Sequence, residues 1–552
     1  MRLRNAAGVL GLCAIAFVLG VFWLQTKAFP YTYMSEMDSL VFMKKRLVGS
    51  APVLPTIAES EFSGLKLDSI SLDEKFPVRH NGGGVDAFGN NVVIVGKDGG
   101  LFLYQSAGGD KSVKKLAIIA AKNNVDEFMS FVNSKGLSES LARDYFRYLD
   151  IVYRDDGAGR SLFLTHHYWY PEKQCFTVRV SQLRLQDGEE LESVSKSADD
   201  WATLYDSKPC LQFKNKGFYF AGHFSGGKMA LLDHDNMLLT VGFLGFDGVD
   251  SDRFYSQGTD GDYGKILKID LKSGRASDFA IGLRNEEGLT IDRDGNIWST
   301  EHGPQGGDEL NLIEQGSNYG WPYVTYGTQY GTTSWPLSKI QGRHDGYKEP
   351  VYAWVPSIGV SSIMQVNGFL PEWDGDLLVA SLNRQTLFRL RYRENRIIVA
   401  EPIRIGSRIR DLDQLENGHI VMWLDDTSIV EMSPVKIGAP DIESITQELP
   451  EPVREQATNT IQSCRQCHSA SPGGDNQNAP NLWAVYGRSM AGTSFSAYSP
   501  ALRSKGGTWN DATLDAFLEG PDLFAQGTTM TYPGISSPEI RKAAIEYLKA
   551  LK

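Results

Sequence analysis

Six times between residues 84 and 432 a turn rich in Asp, Asn and Gly leads into a short apolar run. The copies are FGNNVVIV at 88, DDGAGRSLFL at 155, DHDNMLLTV at 233, DRDGNIWST at 292, WDGDLLVA at 373 and LENGHIVMW at 415. Asn-Gly and Asp-Gly turns favour hairpins because these residues accept positive φ at little cost. Repetition at intervals of a few tens of residues predicts six four-stranded sheets set radially, an all-β six-bladed propeller. A two-sheet sandwich accounts for single hairpins but not for so long a repetition.

The 552 residues exceed one compact core, so further domains flank the propeller. Residues 6–24, AAGVLGLCAIAFVLGVFWL, run uncharged behind Arg2 and Arg4. As a helix they extend about 28 Å, the hydrocarbon thickness of a bilayer. A cleaved signal peptide is the alternative, but its apolar stretch is usually about 7 to 15 residues, which favours an uncleaved anchor with the rest exported. The expected organisation is an anchor at 1–25, a connecting segment at 26–74, the propeller at 75–434, a linker at 435–457 and a small helical domain at 458–552. The linker holds three prolines and many charges, and after it DATLDAFLEG and SPEIRKAAIEYLKALK place apolar residues at helical spacing. Helical character near 138–150 reads as an insertion between blades. A net charge of -12 argues against a nucleic-acid partner.

The helical domain opens on SCRQCHSAS, residues 463–471. Two thiols spaced C-x-x-C and followed at once by His form the attachment geometry of a c-type haem. Cys464 and Cys467 take the haem vinyl groups and His468 supplies the proximal nitrogen. Of the other cysteines, Cys13 lies in the apolar N-terminal stretch. Cys175 and Cys210 form either a disulfide or two buried free thiols. Met490 and Met530 are the methionines that follow the haem motif. APNLWAVYGR, ATLDAFLEGP and GTTMTYPGI resemble the class I cytochromes c. That resemblance implies Met530 as the distal ligand and the carbonyl of Pro480 as the group that orients His468.

A second resemblance covers roughly residues 75–432. GLRN, EHGP, DELNLI and NYGWP are similar to signatures of the glucose/sorbosone dehydrogenase family, propellers that oxidise sugars with pyrroloquinoline quinone (PQQ) and Ca²⁺. The resemblance implies His223, in HFSGGKM, as general base and Arg284 and Asn285 as residues at the quinone. It implies Gly303 and Pro304 as carbonyl ligands of Ca²⁺ and Asp308 as an acidic residue near the cofactor. Arg408 and Arg410 are implied as the grip on the cofactor carboxylates.

Three positions depart from that pattern. Phe243 stands where the family has the Asp that orients the base, with Asp247 or Asp250 on the following loop as possible substitutes. Asn383 stands where it has Lys, beside Arg384. Asn91 takes the place of an expected Gln. The expected function is a periplasmic dehydrogenase of sugars or related alcohols and aldehydes, passing electrons through its own haem to a respiratory acceptor. The alternative is an electron-transfer or ligand-binding propeller that has lost PQQ catalysis.

Overall fold

The computed structural model describes residues 65–552, apart from 73–74, 77, 80, 108–109, 137–144, 157–158, 214–221, 252, 395, 435–441, 466, 471–478, 531 and 552. The expected membrane span at 6–24, Cys13 and most of the connecting segment lie outside the described residues. Among the described residues no helix is long and apolar enough to cross a membrane.

Six antiparallel sheets form the propeller. Their innermost strands are Gly83–Phe88, Tyr148–Asp155, Gly226–Leu231, Glu286–Ile291, Val360–Gln365 and Ile409–Gln414, and each touches the next around a closed ring. Second strands such as Asn91–Gly96 and Leu377–Ser381 are buried on both faces between blades, which is why they read as unbroken apolar runs. Five sheets are four-stranded. The second has five strands, because Ala202–Asp206 and Leu211–Gln212 both pair with Cys175–Leu185. Cys175 and Cys210 form a disulfide at that edge, their Cα atoms 5.6 Å apart.

Three expectations need correction. Leu65–Ser71 falls in the expected connecting segment, yet it pairs with Ser428–Pro434 and completes the sixth blade. Residues 148–150 are strand rather than helix: β-branched Ile151 and Val152 pack between blades in the innermost strand that begins there. The expected helix at 138–144 lies outside the described residues, and the helix between the first two blades is Val125–Ser134, burying Phe128, Met129 and Val132. Finally, the expected linker turns helical at Ile442–Thr446, since Ile442 and Thr446 have apolar neighbours to bury against.

The C-terminal domain packs Val453–Cys464, Pro500–Lys505, Asp511–Glu519 and Pro538–Ala550 around Ile461, Leu514, Leu518, Ala544 and Leu548. Ser537 caps the last helix by accepting the Ile540 N–H, with Pro538 in the first turn.

Candidate functional site

Loops at one end of the propeller enclose a cavity of about 620 Å³. Eight residues singled out in the sequence line it: His223, Arg284, Asn285, Gly303, Pro304, Asn383, Arg408 and Arg410. They come from separate blades. His223 sits in the short turn Gly222–Phe224 before the third blade, and Arg284 and Asn285 immediately precede the innermost strand of the fourth. Gly303 and Pro304 lie between Ile297–Glu301 and Asp308–Ile313, and Arg408 and Arg410 flank the start of Ile409–Gln414. Lys97, Tyr145, Arg147, Glu287 and Asn81 also line the cavity, and no motif marked them.

Asp308 lies beneath the cavity rather than in its wall. Its fully buried carboxylate accepts the N–H of Gly303 at 3.1 Å, and those of Ile358, Gly359 and Val360 at 3.0, 2.7 and 3.3 Å. One side chain thus pins two turns of the rim. Gly303 must be glycine, because a Cβ there would stand 2.1 Å from the carbonyl oxygen of Gly306.

Positive charge dominates the wall. Arg410 forks onto Asp425 at 2.8 and 3.0 Å and Arg408 reaches the same carboxylate at 2.7 Å. Burial opposes ionisation of Asp425, but the two guanidiniums hold its carboxyl below the usual range. Arg284 donates to the carbonyl of His302 at 2.8 Å, its Nε has no partner, and its guanidinium stands 4.7 Å from the ring of Phe243 and 5.2 Å from Trp321. Phe243, buried against Trp321 and Trp335, is therefore a platform for Arg284. Neither Asp247 nor Asp250 lines the cavity; the Asp247 carboxylate accepts the backbone N–H groups of Val249 and Asp250 in its own loop. Asn91 bonds Gln105 at 3.2 Å in the first blade, away from the cavity, whereas Asn81 reaches it.

His223 contacts the tilted rings of Phe224 and Tyr145, with ring centroids 3.6 and 4.7 Å away, and its Nδ1 is buried without a partner. Burial first, then the charges of Arg147 and Arg284, push its pKa down to about 3. The imidazole is uncharged and able to accept a proton throughout the neutral range. In the ligand-free protein an NMR titration should find His223 neutral down to about pH 4, protonating only below that. A midpoint near the ordinary histidine value of about 6.5 would contradict this environment.

In the C-terminal domain a second pocket, apolar, is lined by Cys464, His468, Pro480, Trp509, Met530 and Tyr547. The His468 Nδ1–H donates to the carbonyl of Pro480 at 2.7 Å, which leaves Nε2 as the nitrogen available to a metal. Cys464 and Cys467 are free thiols. Arg488 Nε and Tyr547 Oη are buried without partners at the same pocket. Met490 belongs to the domain core and does not line the pocket.

The glucose/sorbosone dehydrogenase family model matches residues 147–430, 284 of the 552 residues. An uncharacterized Synechocystis protein is 30% identical over 286 residues, covering 48% of this chain and 65% of that protein. The aldose sugar dehydrogenase YliI of Escherichia coli is 32% identical over 174 residues, covering 30% of this chain and 46% of that enzyme. The chain thus covers less than two thirds of either relative. Its C-terminal region matches a cytochrome c homolog of Rickettsia conorii, 36% identical over 124 residues, 22% of this chain and 66% of that protein. The apo-form of the soluble aldose sugar dehydrogenase of Escherichia coli shares the fold at a TM-score of 0.51 and 21% identity, over 67% of this chain and all of that one.

Proposed function

Because the chain belongs to the glucose/sorbosone dehydrogenase family, we propose that it is a quinohaemoprotein dehydrogenase. It oxidises an aldose or related alcohol or aldehyde with PQQ and passes the electrons to its own c-type haem. The observation that carries this reading is the pairing, in one chain, of a cation-walled cavity holding a neutral histidine with an apolar pocket lined by Cys464, His468 and Met530.

The residues fit both groups. Arg408, Arg410 and Arg284, the last with an unpartnered Nε, suit a flat polycarboxylate. The carbonyls of Gly303 and Pro304 are hard oxygen donors of the kind Ca²⁺ takes. Among the described residues no cluster of three His, Cys, Asp or Glu side chains offers a metal cage. Cys464 and Cys467 would hold the haem covalently, and His468 and Met530 would ligate its iron. The quinone supplies a two-electron acceptor and the haem a one-electron acceptor of raised potential.

The rest is the protein's work. His223 takes the substrate hydroxyl proton, and its low basicity is raised as the ligand's negative charge offsets Arg147 and Arg284. Arg284 is held by the His302 carbonyl and by the aromatic rings it lies over, so it is oriented before a ligand arrives. Asp308 keeps the Gly303 turn and the 358–360 turn in register.

We place the protein on the periplasmic face of the inner membrane, anchored through residues 6–24, with a respiratory carrier as downstream acceptor. A c-type haem motif and the Cys175–Cys210 disulfide both suit an exported chain. A second reading, a propeller that has lost PQQ and docks its cytochrome, draws on Phe243, which is buried against Trp321 and Trp335 where the resemblance implies an Asp. Equilibrium titration of the protein with PQQ and Ca²⁺ separates them. Saturable binding is expected, and its absence would leave only the second reading.

A further inference from the structure

Arg147 reaches the cavity from the residue just before the innermost strand of the second blade, and it is 8% exposed. Its backbone N–H donates to His167 Nδ1 at 3.1 Å. Since that nitrogen accepts, the His167 proton is on Nε2, which donates to Ser225 Oγ at 2.6 Å; the Ser225 hydroxyl in turn donates to the carbonyl of Gly222 at 2.6 Å. A fully buried imidazole therefore fixes Arg147 in register with the turn that carries His223.

The guanidinium, by contrast, is poorly served. NH1 lies 3.4 Å from the carbonyl of Asn81, and Nε is buried without a partner. Among the described residues no carboxylate lies within ion-pair distance of it. The acidic groups nearby are engaged elsewhere: Asp425 by Arg408 and Arg410, and Glu287 by Asn285 at 2.9 Å with Arg410 at 3.7 Å. A buried cation beside other cations and lacking a counter-charge is costly unless an anion joins it.

We propose that Arg147 grips a carboxylate of the ligand bound in this cavity. The position favours the cofactor as its source. Arg147, Glu287 and Arg410 also line an adjoining cavity of about 20 Å³ that reaches Lys228 on an innermost strand, so the grip is at the floor of the site. An acidic sugar is the other source of the same chemistry. The assignment to the cofactor rests on the reading of the cavity as a quinone site.

The test titrates the protein, free of quinone, with PQQ by tryptophan fluorescence, comparing wild type with Arg147→Met and Arg147→Lys. Arg147→Met should weaken binding about 10- to 100-fold, the loss expected for a charged hydrogen-bond partner. Arg147→Lys should fall between, and neither should lower the melting temperature, since the charge removed had no counter-charge. PQQ binding by Arg147→Met within twofold of wild type, with half-saturation by glucuronate also unchanged, would overturn the proposal. So would a lowered melting temperature restored by Lys without restored binding. If PQQ affinity is unchanged but half-saturation by glucuronate alone rises, glucose unaffected, the carboxylate is the substrate's and the cofactor assignment falls. A wild type that does not bind PQQ overturns the quinone-site reading and this assignment with it.

Discussion

Replacement of His223 by Ala is expected to lower the rate of substrate-driven haem reduction by about 10²- to 10⁴-fold, the usual contribution of a positioned general base. The imidazole is an uncharged base in the cavity wall, flanked by Tyr145 and Phe224 and accompanied by guanidinium groups that cannot accept a proton. PQQ affinity should change little, because Arg284, Arg408 and Arg410 remain. Stopped-flow haem spectra on the reconstituted protein would measure the rate, and a decrease of less than about tenfold would assign the base to another group. The companion variant Phe243→Asp, Asn383→Lys addresses the departures from the family pattern. A site that is merely degraded gains rate from it, whereas a repurposed one does not.

The second large effect is expected at Met530. Its side chain lines the same pocket as His468, whereas Met490 is committed to the domain core. Met530→Ala should leave the haem attached through Cys464 and Cys467, abolish the methionine-to-iron charge-transfer band and lower the potential, since Met/His ligation raises it. Electron uptake from the propeller should then slow. Persistence of the band in Met530→Ala and its loss in Met490→Ala would reverse the assignment.

The blades were legible in the sequence because their hairpins carry Asp, Asn and Gly at turns that need them, and because second strands buried on both faces read as apolar runs. The closing strand was not. LKLDSIS is half exposed along most of its length and carries few apolar residues, so nothing local separates it from a linker. The run around Tyr145–Tyr148 looks helical because its aromatic and charged residues alternate at mixed spacing, and Arg147 was hidden inside it. Its significance comes from the blade that brings it to the same cavity as His223, which spacing along the chain does not encode. Asn81 and Asn91 illustrate the same limit: both stand near glycine-rich turns, and only the register of Gly83–Phe88 against Asn91–Gly96 shows which of the two faces the cavity. The motif-borne residues fared better, since His223, Arg284, Asn285, Gly303, Pro304, Arg408 and Arg410 converge on one cavity although they span nearly 190 positions, 223 to 410. Asp308 was placed near the site, but its role as the anchor of two turns emerged only from its backbone partners.

On the proposed function the propeller reduces its own cytochrome. The most direct measurement mixes the oxidised protein, loaded with PQQ and Ca²⁺, with a panel of aldoses, alcohols and aldehydes and follows the haem α-band. The band should appear with at least one donor, at a rate independent of protein concentration because both redox centres share a chain. A haem that stays oxidised with every donor, in protein that has demonstrably bound PQQ, would contradict it.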